Sequence, residues 1–391
     1  MDWQMPPQNQ WQQPGVPPYP PYYPYYQPDP YQMFAYMQSQ EKEKLKRHNN
    51  LAGFVCFGFI GASFFVAIVF GIFVAALTIG STITGDKSSL TDTTSTAYLL
   101  MYMVEYVLML AIPIVLGLLL CRFYLKSRDV HPIYVKRVKP SYGLSLLMFS
   151  ASAIVVGNYV STFVVNLMEQ IGIAPSDMPQ MQDGSVRAFL LNFLIIAVLP
   201  AILEEIMFRG LVMQSLRFAG DTIAVVVSSI LFAMVHGTLY QIPFAFVLGL
   251  MLGYIALKTG NILFSMILHF FNNAMAVILE YVCINHTEEF GEQVSIIYFA
   301  VLAIVGIMGA ALLWMRPHHA ATPWGDNGQH LLSLKERWKS TLFSPLIIAF
   351  IVLMAFATLL TTNIGDVDSM SDLYSYFEEQ AMIPLWSLFY G

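Results

Sequence analysis

Apolar residues along this chain gather into long, nearly uninterrupted runs. They do not follow the alternating or one-sided patterns of a water-soluble domain. Runs of about eighteen residues or more with few charges read as transmembrane helices. Such windows fall at about 51–80, 98–120, 143–167, 187–212, 222–240, 242–258, 261–282, 296–315 and 344–362. The pattern predicts an all-α fold, a polytopic transmembrane helical bundle of about eight or nine spans. No internal repeat is evident, which weighs against an inverted-repeat transporter.

The ends of the chain depart from this pattern. Residues 1–46 begin with a stretch rich in Pro, Tyr and Gln, such as Pro17-Pro18-Tyr19-Pro20-Pro21-Tyr22. With few aliphatic side chains to bury, such a segment is expected to be a disordered, partly polyproline-II tail. Residues 47–362 are read as the transmembrane bundle and residues 363–391 as an acidic tail. Lys42, Lys44, Lys46 and Arg47 precede the first span, and Arg122, Lys126, Arg128, Lys136, Arg137 and Lys139 cluster in the loop at 121–142. No Lys or Arg follows Lys339, whereas Asp366, Asp368, Asp372, Glu378 and Glu379 do. The positive-inside rule then expects a multi-pass cell-membrane protein with a cytoplasmic N-terminus and an external C-terminus.

Composition sharpens the class. The 391 residues are 57% hydrophobic and only 11% charged, too apolar for a soluble domain of this size. A net charge of −6 gives no support for nucleic-acid binding. Cys56, Cys121 and Cys283 lie too far apart in sequence to suggest a disulfide framework or a thiolate metal site. The polar, proline-rich start lacks the apolar core of a cleavable signal peptide.

Against this apolar background a few polar residues stand out. Glu204 and Glu205 are adjacent within the fourth run, followed by Arg209; His236 and then His269 with Asn273 lie in later runs. A charge at hydrocarbon depth costs about 2.5–3.5 kcal/mol on insertion scales and is usually kept for function. Glu204 precedes the basic marker Arg217 by thirteen residues, His236 follows Asp221 by fifteen, and His269 follows Gly260 by nine. At 1.5 Å per residue these offsets are about 20, 22 and 14 Å, which brings the three to similar depth.

Glu205 and Arg209, four apart with the acid first, have the favourable order for a helical ion pair. That leaves Glu204, about 100° around the helix, to face a cavity and act as a general base toward water. Pro200 is placed to kink the helix and admit solvent. His269 and Asn273 share a helix face and both carry donors suited to a developing oxyanion. Alternatively, Glu204, His236 and His269 supply the three ligands of an open catalytic Zn2+ site. The structural alternative is that these groups only tie helices together.

Three patterns occur in order: Glu204-Glu205-x-x-x-Arg209, Phe232-x-x-x-His236 and His269-x-x-x-Asn273. Together with Phe208-Arg209-Gly210 and Thr259-Gly260-Asn261-Ile262-Leu263, they resemble the CPBP family, the CAAX-protease and bacteriocin-processing (Abi) intramembrane endopeptidases. The resemblance covers about residues 187–282. It implies an all-α protease core in which Glu204 and His236 activate water and His269 and Asn273 stabilise the oxyanion. Glu205 and Arg209 would support the site. It leaves open whether zinc takes part. The implied substrate is a membrane-associated peptide, either CAAX-type or bacteriocin-like, with the lipid bilayer as the surrounding medium. A non-catalytic immunity or scaffolding protein of the same fold, and a transporter with a proton relay, are the competing expectations.

Overall fold

The computed structural model describes residues 29–84, 95–125, 130–170, 172–175, 183–315, 330–360 and 362–364. Its helices are α1 (Pro30–Thr84), α2 (Thr96–Leu120), α3 (Pro140–Ser150), α4 (Ser152–Glu169), α5 (Val186–Ala219), α6 (Asp221–Val235), α7 (Gln241–Thr259), α8 (Ile262–Asn285), α9 (Glu288–Trp314), α10 (Leu334–Leu342) and α11 (Pro345–Leu360). Among the described residues, seven helical stretches are long and apolar enough to cross a membrane, with α3 and α4 forming one of them. The pair α10 and α11, bent by 51°, makes an eighth if taken as one span. The all-α, multi-pass expectation therefore holds. Two three-residue strands are the exception: β1 (Ile173–Pro175) pairs antiparallel with β2 (Thr362–Ile364).

One expected span takes a different form. The window at 222–240 folds as α6, which stops at Val235 after 15 residues. At 1.5 Å per residue it is about 22 Å long, short of the ~30 Å hydrocarbon core. Ile223, Ala224, Val225, Val227, Leu231, Phe232 and Ala233 are all buried, so α6 is an interior helix with other helices on its sides. Its apolar run reads as a span because burial in protein and burial in lipid select the same side chains.

The N-terminal boundary also moves. The expected tail through residue 46 gives way to helix from Pro30 onward, while residues 1–28 lie outside the described residues. Glu41 anchors this extension. Its carboxylate accepts from the backbone N–H groups of Leu331 (2.7 Å) and Leu332 (3.2 Å) and from His330 Nδ1 (2.9 Å). Gln38 donates to the Leu331 carbonyl, and Leu45 is buried on the same helix. Composition alone hid these contacts because their partners lie almost 300 residues away. Of the acidic tail expected at 363–391, residues 363–364 belong to β2 and residues 365–391 lie outside the described residues.

Local chemistry starts the central helix. The Ser185 side chain accepts from Ala188 N–H at the N-cap of α5, and Asp183 in turn accepts from Ser185 N–H. Within α5, wide π-type turns over Phe193–Val198 and Ile206–Val212 flank the segment Leu199–Glu205. Such turns recur at functional sites. Further along, α5 passes directly against the strap that precedes α3. A Cβ added to Gly210 would fall 2.3 Å from the Pro132 carbonyl oxygen and 2.9 Å from its Cα. Backbone is the obstacle, so the glycine is required for this approach.

Gly210→Val is accordingly expected to destabilise the bundle by about 1–3 kcal/mol through overpacking. Thermal unfolding in nanodiscs measures this; an unchanged melting temperature would contradict the packing described.

Candidate active site

Three helices supply the polar side chains that the sequence singles out. Glu204, Glu205 and Arg209 come from the middle of α5, between and within its wide turns. His236 caps the C-terminal end of α6, and His269 and Asn273 lie one turn apart on α8. Helix α7 contributes a backbone carbonyl.

Glu205 sits at the centre and is fully buried. Its Oε1 accepts from Arg209 Nη1 at 2.9 Å and from His269 Nδ1 at 3.0 Å. Arg209 is itself buried, donates to the Gly249 carbonyl on α7 at 3.2 Å, and stacks its guanidinium 4.3 Å from the Phe232 ring centroid. The expected ion pair is thus formed with neither charge exposed. Gly249 allows α7 that close: a Cβ there would stand 3.1 Å from Ser229 Cβ and 3.2 Å from Phe232 Cδ1.

Phe232 is the shared wall of the site. Its ring lies edge-on to His236 at 4.8 Å and to His269 at 5.7 Å between centroids, besides its contact with Arg209. The Phe232-x-x-x-His236 spacing has a second consequence. His236 Nδ1 is 2.9 Å from the Phe232 carbonyl oxygen. A carbonyl can only accept, so Nδ1 carries the proton and Nε2 is left with its lone pair. His269 obeys the same logic, with Nδ1–H given to Glu205 and Nε2 left over.

That Nε2 faces Glu204. The distance from His269 Nε2 to Glu204 Oε2 is 3.9 Å, and Oε2 is buried with no hydrogen-bond partner. The Glu204 side chain as a whole retains 15% exposure, in contrast to Glu205. Its other oxygen, Oε1, accepts a hydrogen bond from the Tyr106 hydroxyl of α2 at 2.6 Å. Glu204 and His269 both act electrostatically on His236, as close neighbours do. Two adjacent carboxylates therefore occupy different surroundings. One is fully buried and shares an oxygen between Arg209 and His269, and the other, partly exposed, turns Oε2 toward His269.

The structure brings Glu204, Glu205, Arg209, His236 and His269 into one cluster. Asn273 is engaged elsewhere. Its Nδ2 donates to the Ile196 carbonyl at 2.9 Å, and its Oδ1 accepts from Asn272. Pro200, four residues after Ile196, has no N–H to satisfy that carbonyl, so the amide of Asn273 fills the gap in the α5 ladder. Tyr106 is the neighbour that sequence reasoning missed. A tyrosine in an apolar helix is ordinary, and its only signal was Glu105 beside it, which marks the same stretch of α2 as polar.

The Zn2+ expectation finds no preassembled triad. Among the described residues, no three His, Cys, Asp or Glu side chains are grouped so as to hold a metal ion.

Residues 186–275 match the family described as Type II CAAX prenyl endopeptidase Rce1-like. The resemblance expected from the three motifs is borne out over this segment, which contains every residue of the cluster except Tyr106. The match supports a CAAX-type protease that acts on a membrane-associated peptide. No curated protein and no solved structure matches the chain.

Breaking the ion pair from one side should be severe. Arg209→Met is expected to cost about 3–5 kcal/mol, since it leaves Glu205 charged and uncompensated, while the double change Arg209→Met with Glu205→Gln recovers part of that. Melting curves of the three proteins in one lipid system test this, and equal stability of single and double variants would contradict it.

Proposed function

We propose that the chain is an intramembrane endopeptidase that hydrolyses a peptide bond in a membrane-associated peptide, either CAAX-type or bacteriocin-like. The observation that carries this reading is the gap between Glu204 Oε2 and His269 Nε2. Glu204 Oε2 is buried with no hydrogen-bond partner, and His269 Nε2 lies 3.9 Å from it. A water molecule, with two donors and room at ordinary hydrogen-bond distance from both, is the smallest group that satisfies them.

In the proposed reaction Glu204 Oε2 takes a proton from that water, assisted by His236, whose Nε2 lone pair is kept available by the Phe232 carbonyl. The water oxygen forms a bond to the carbonyl carbon of the scissile amide, and the carbonyl π pair moves onto oxygen. In the tautomer that Glu205 sets, His269 Nε2 has no proton to give and holds the water as an acceptor, so the oxyanion is left to the second N–H of the Asn273 amide, one turn away on the same helix. The tetrahedral carbon then expels the nitrogen, which receives the proton carried by Glu204. A carboxylate and an amine leave.

Glu205 and Arg209 have a supporting role in this scheme, fixing the tautomer and the tilt of His269 as partners of catalytic imidazoles do elsewhere. The proposed orientation follows the charge asymmetry, with the N-terminus cytoplasmic and the C-terminus external. Carboxylate, imidazole and amide act here without a resident metal.

Two measurements test the reading. Glu204→Gln keeps the Tyr106 contact but is a poor proton acceptor, and is expected to lower cleavage of a lipid-embedded peptide by about 100- to 10,000-fold while leaving folding intact. Retained cleavage would remove Glu204 from the role of base. Separately, elemental analysis of fully active protein is expected to find no stoichiometric zinc. One zinc per chain, lost with activity on chelation and restored with it, would overturn the metal-free scheme.

A further inference from the structure

Tyr106 lies on α2, eighty residues before the segment that matches the endopeptidase family, and nothing in the three motifs accounts for it. Yet its hydroxyl is 2.6 Å from Glu204 Oε1, the range of a charge-assisted O–H···O⁻ hydrogen bond. We infer that Tyr106 is a positioning residue for the general base: it dedicates Oε1 to a fixed donor and so reserves Oε2 for the reacting water. The inference rests on the hydrolytic reading above.

The argument is geometric. A glutamate side chain has three rotatable bonds and two equivalent oxygens, so an unrestrained Glu204 would present either oxygen to the site in several orientations. Neither neighbour on α5 can restrain it, because Glu205 is committed to Arg209 and His269. His269 Nε2 cannot do so either, since in the tautomer set by Glu205 it is an acceptor facing an acceptor. Among the described residues, the Tyr106 hydroxyl is the one group that donates to Glu204 directly.

Position along α2 supports the assignment. Helix α2 packs against α5 through Gly117, about three turns beyond Tyr106, where an added Cβ would meet Leu211 at 2.8 Å. A rigid aromatic ring on a packed helix is a stiffer tether than a long aliphatic side chain. The consequence is kinetic. Removing the hydroxyl leaves Glu204 able to accept a proton but spreads its oxygens over orientations of which only some meet the water.

The test compares wild type, Tyr106→Phe, Tyr102→Phe and Glu204→Gln on one peptide substrate in proteoliposomes. Tyr106→Phe is expected to lower kcat by about 10- to 100-fold with KM changed less than about two-fold and with an unchanged melting temperature. Tyr102→Phe, which removes a hydroxyl one turn earlier on α2, is expected to behave as wild type. Should the phenylalanine variant melt early, para-aminophenylalanine and para-methylphenylalanine at position 106 separate donor from shape. The amino group is expected to restore much of the rate and the methyl group is not.

Wild-type kcat in Tyr106→Phe, a loss confined to KM, or equal rates for the amino and methyl analogues would each overturn the assignment while Glu204→Gln stays inactive. Full cleavage by Glu204→Gln would instead overturn the hydrolytic reading beneath it.

Discussion

The structure depends on keeping one carboxylate ionised where no water reaches it. Glu205 has no exposed surface, and an isolated charge in such a place would neutralise or unfold its surroundings. Arg209 compensates it from one turn away, Gly249 and Phe232 hold the guanidinium, and His269 completes the ring of donors. This arrangement draws α5, α6, α7 and α8 to one point. The histidine that reaches Glu205 is also the one whose second nitrogen meets Glu204, so stability and chemistry share a side chain.

Much of this was legible in the residues. Membrane insertion followed from the long apolar runs, and the ion pair followed from the spacing of Glu205 and Arg209. The depth argument places Glu204, His236 and His269 together; the two histidines share the Phe232 ring, and His269 Nε2 faces Glu204. Helix spacing is a reliable guide here because lipid leaves the backbone few alternatives to regular helix.

What the residues concealed has physical causes of its own. Helix α6 reads as a span because its side chains are as apolar as any lipid-facing set, though protein surrounds it. The helix from Pro30 is hidden by polar composition, since Glu41 finds its partners at residues 330–332. Asn273 shares a helix face with His269, yet Pro200 deprives a carbonyl of its partner and the amide goes there. Tyr106 carries no motif at all. Each case turns on a contact between segments far apart in sequence, which periodicity along one helix does not report.

The central claim is that water, activated beside Glu204, splits an amide within the bilayer. The most direct measurement is single-turnover cleavage of a defined peptide by the purified protein in liposomes made with heavy-oxygen water, read by mass spectrometry. The account predicts a new C-terminal carboxylate carrying one heavy oxygen. Intact peptide, or proton flux across the liposome without any cleaved product, would contradict it.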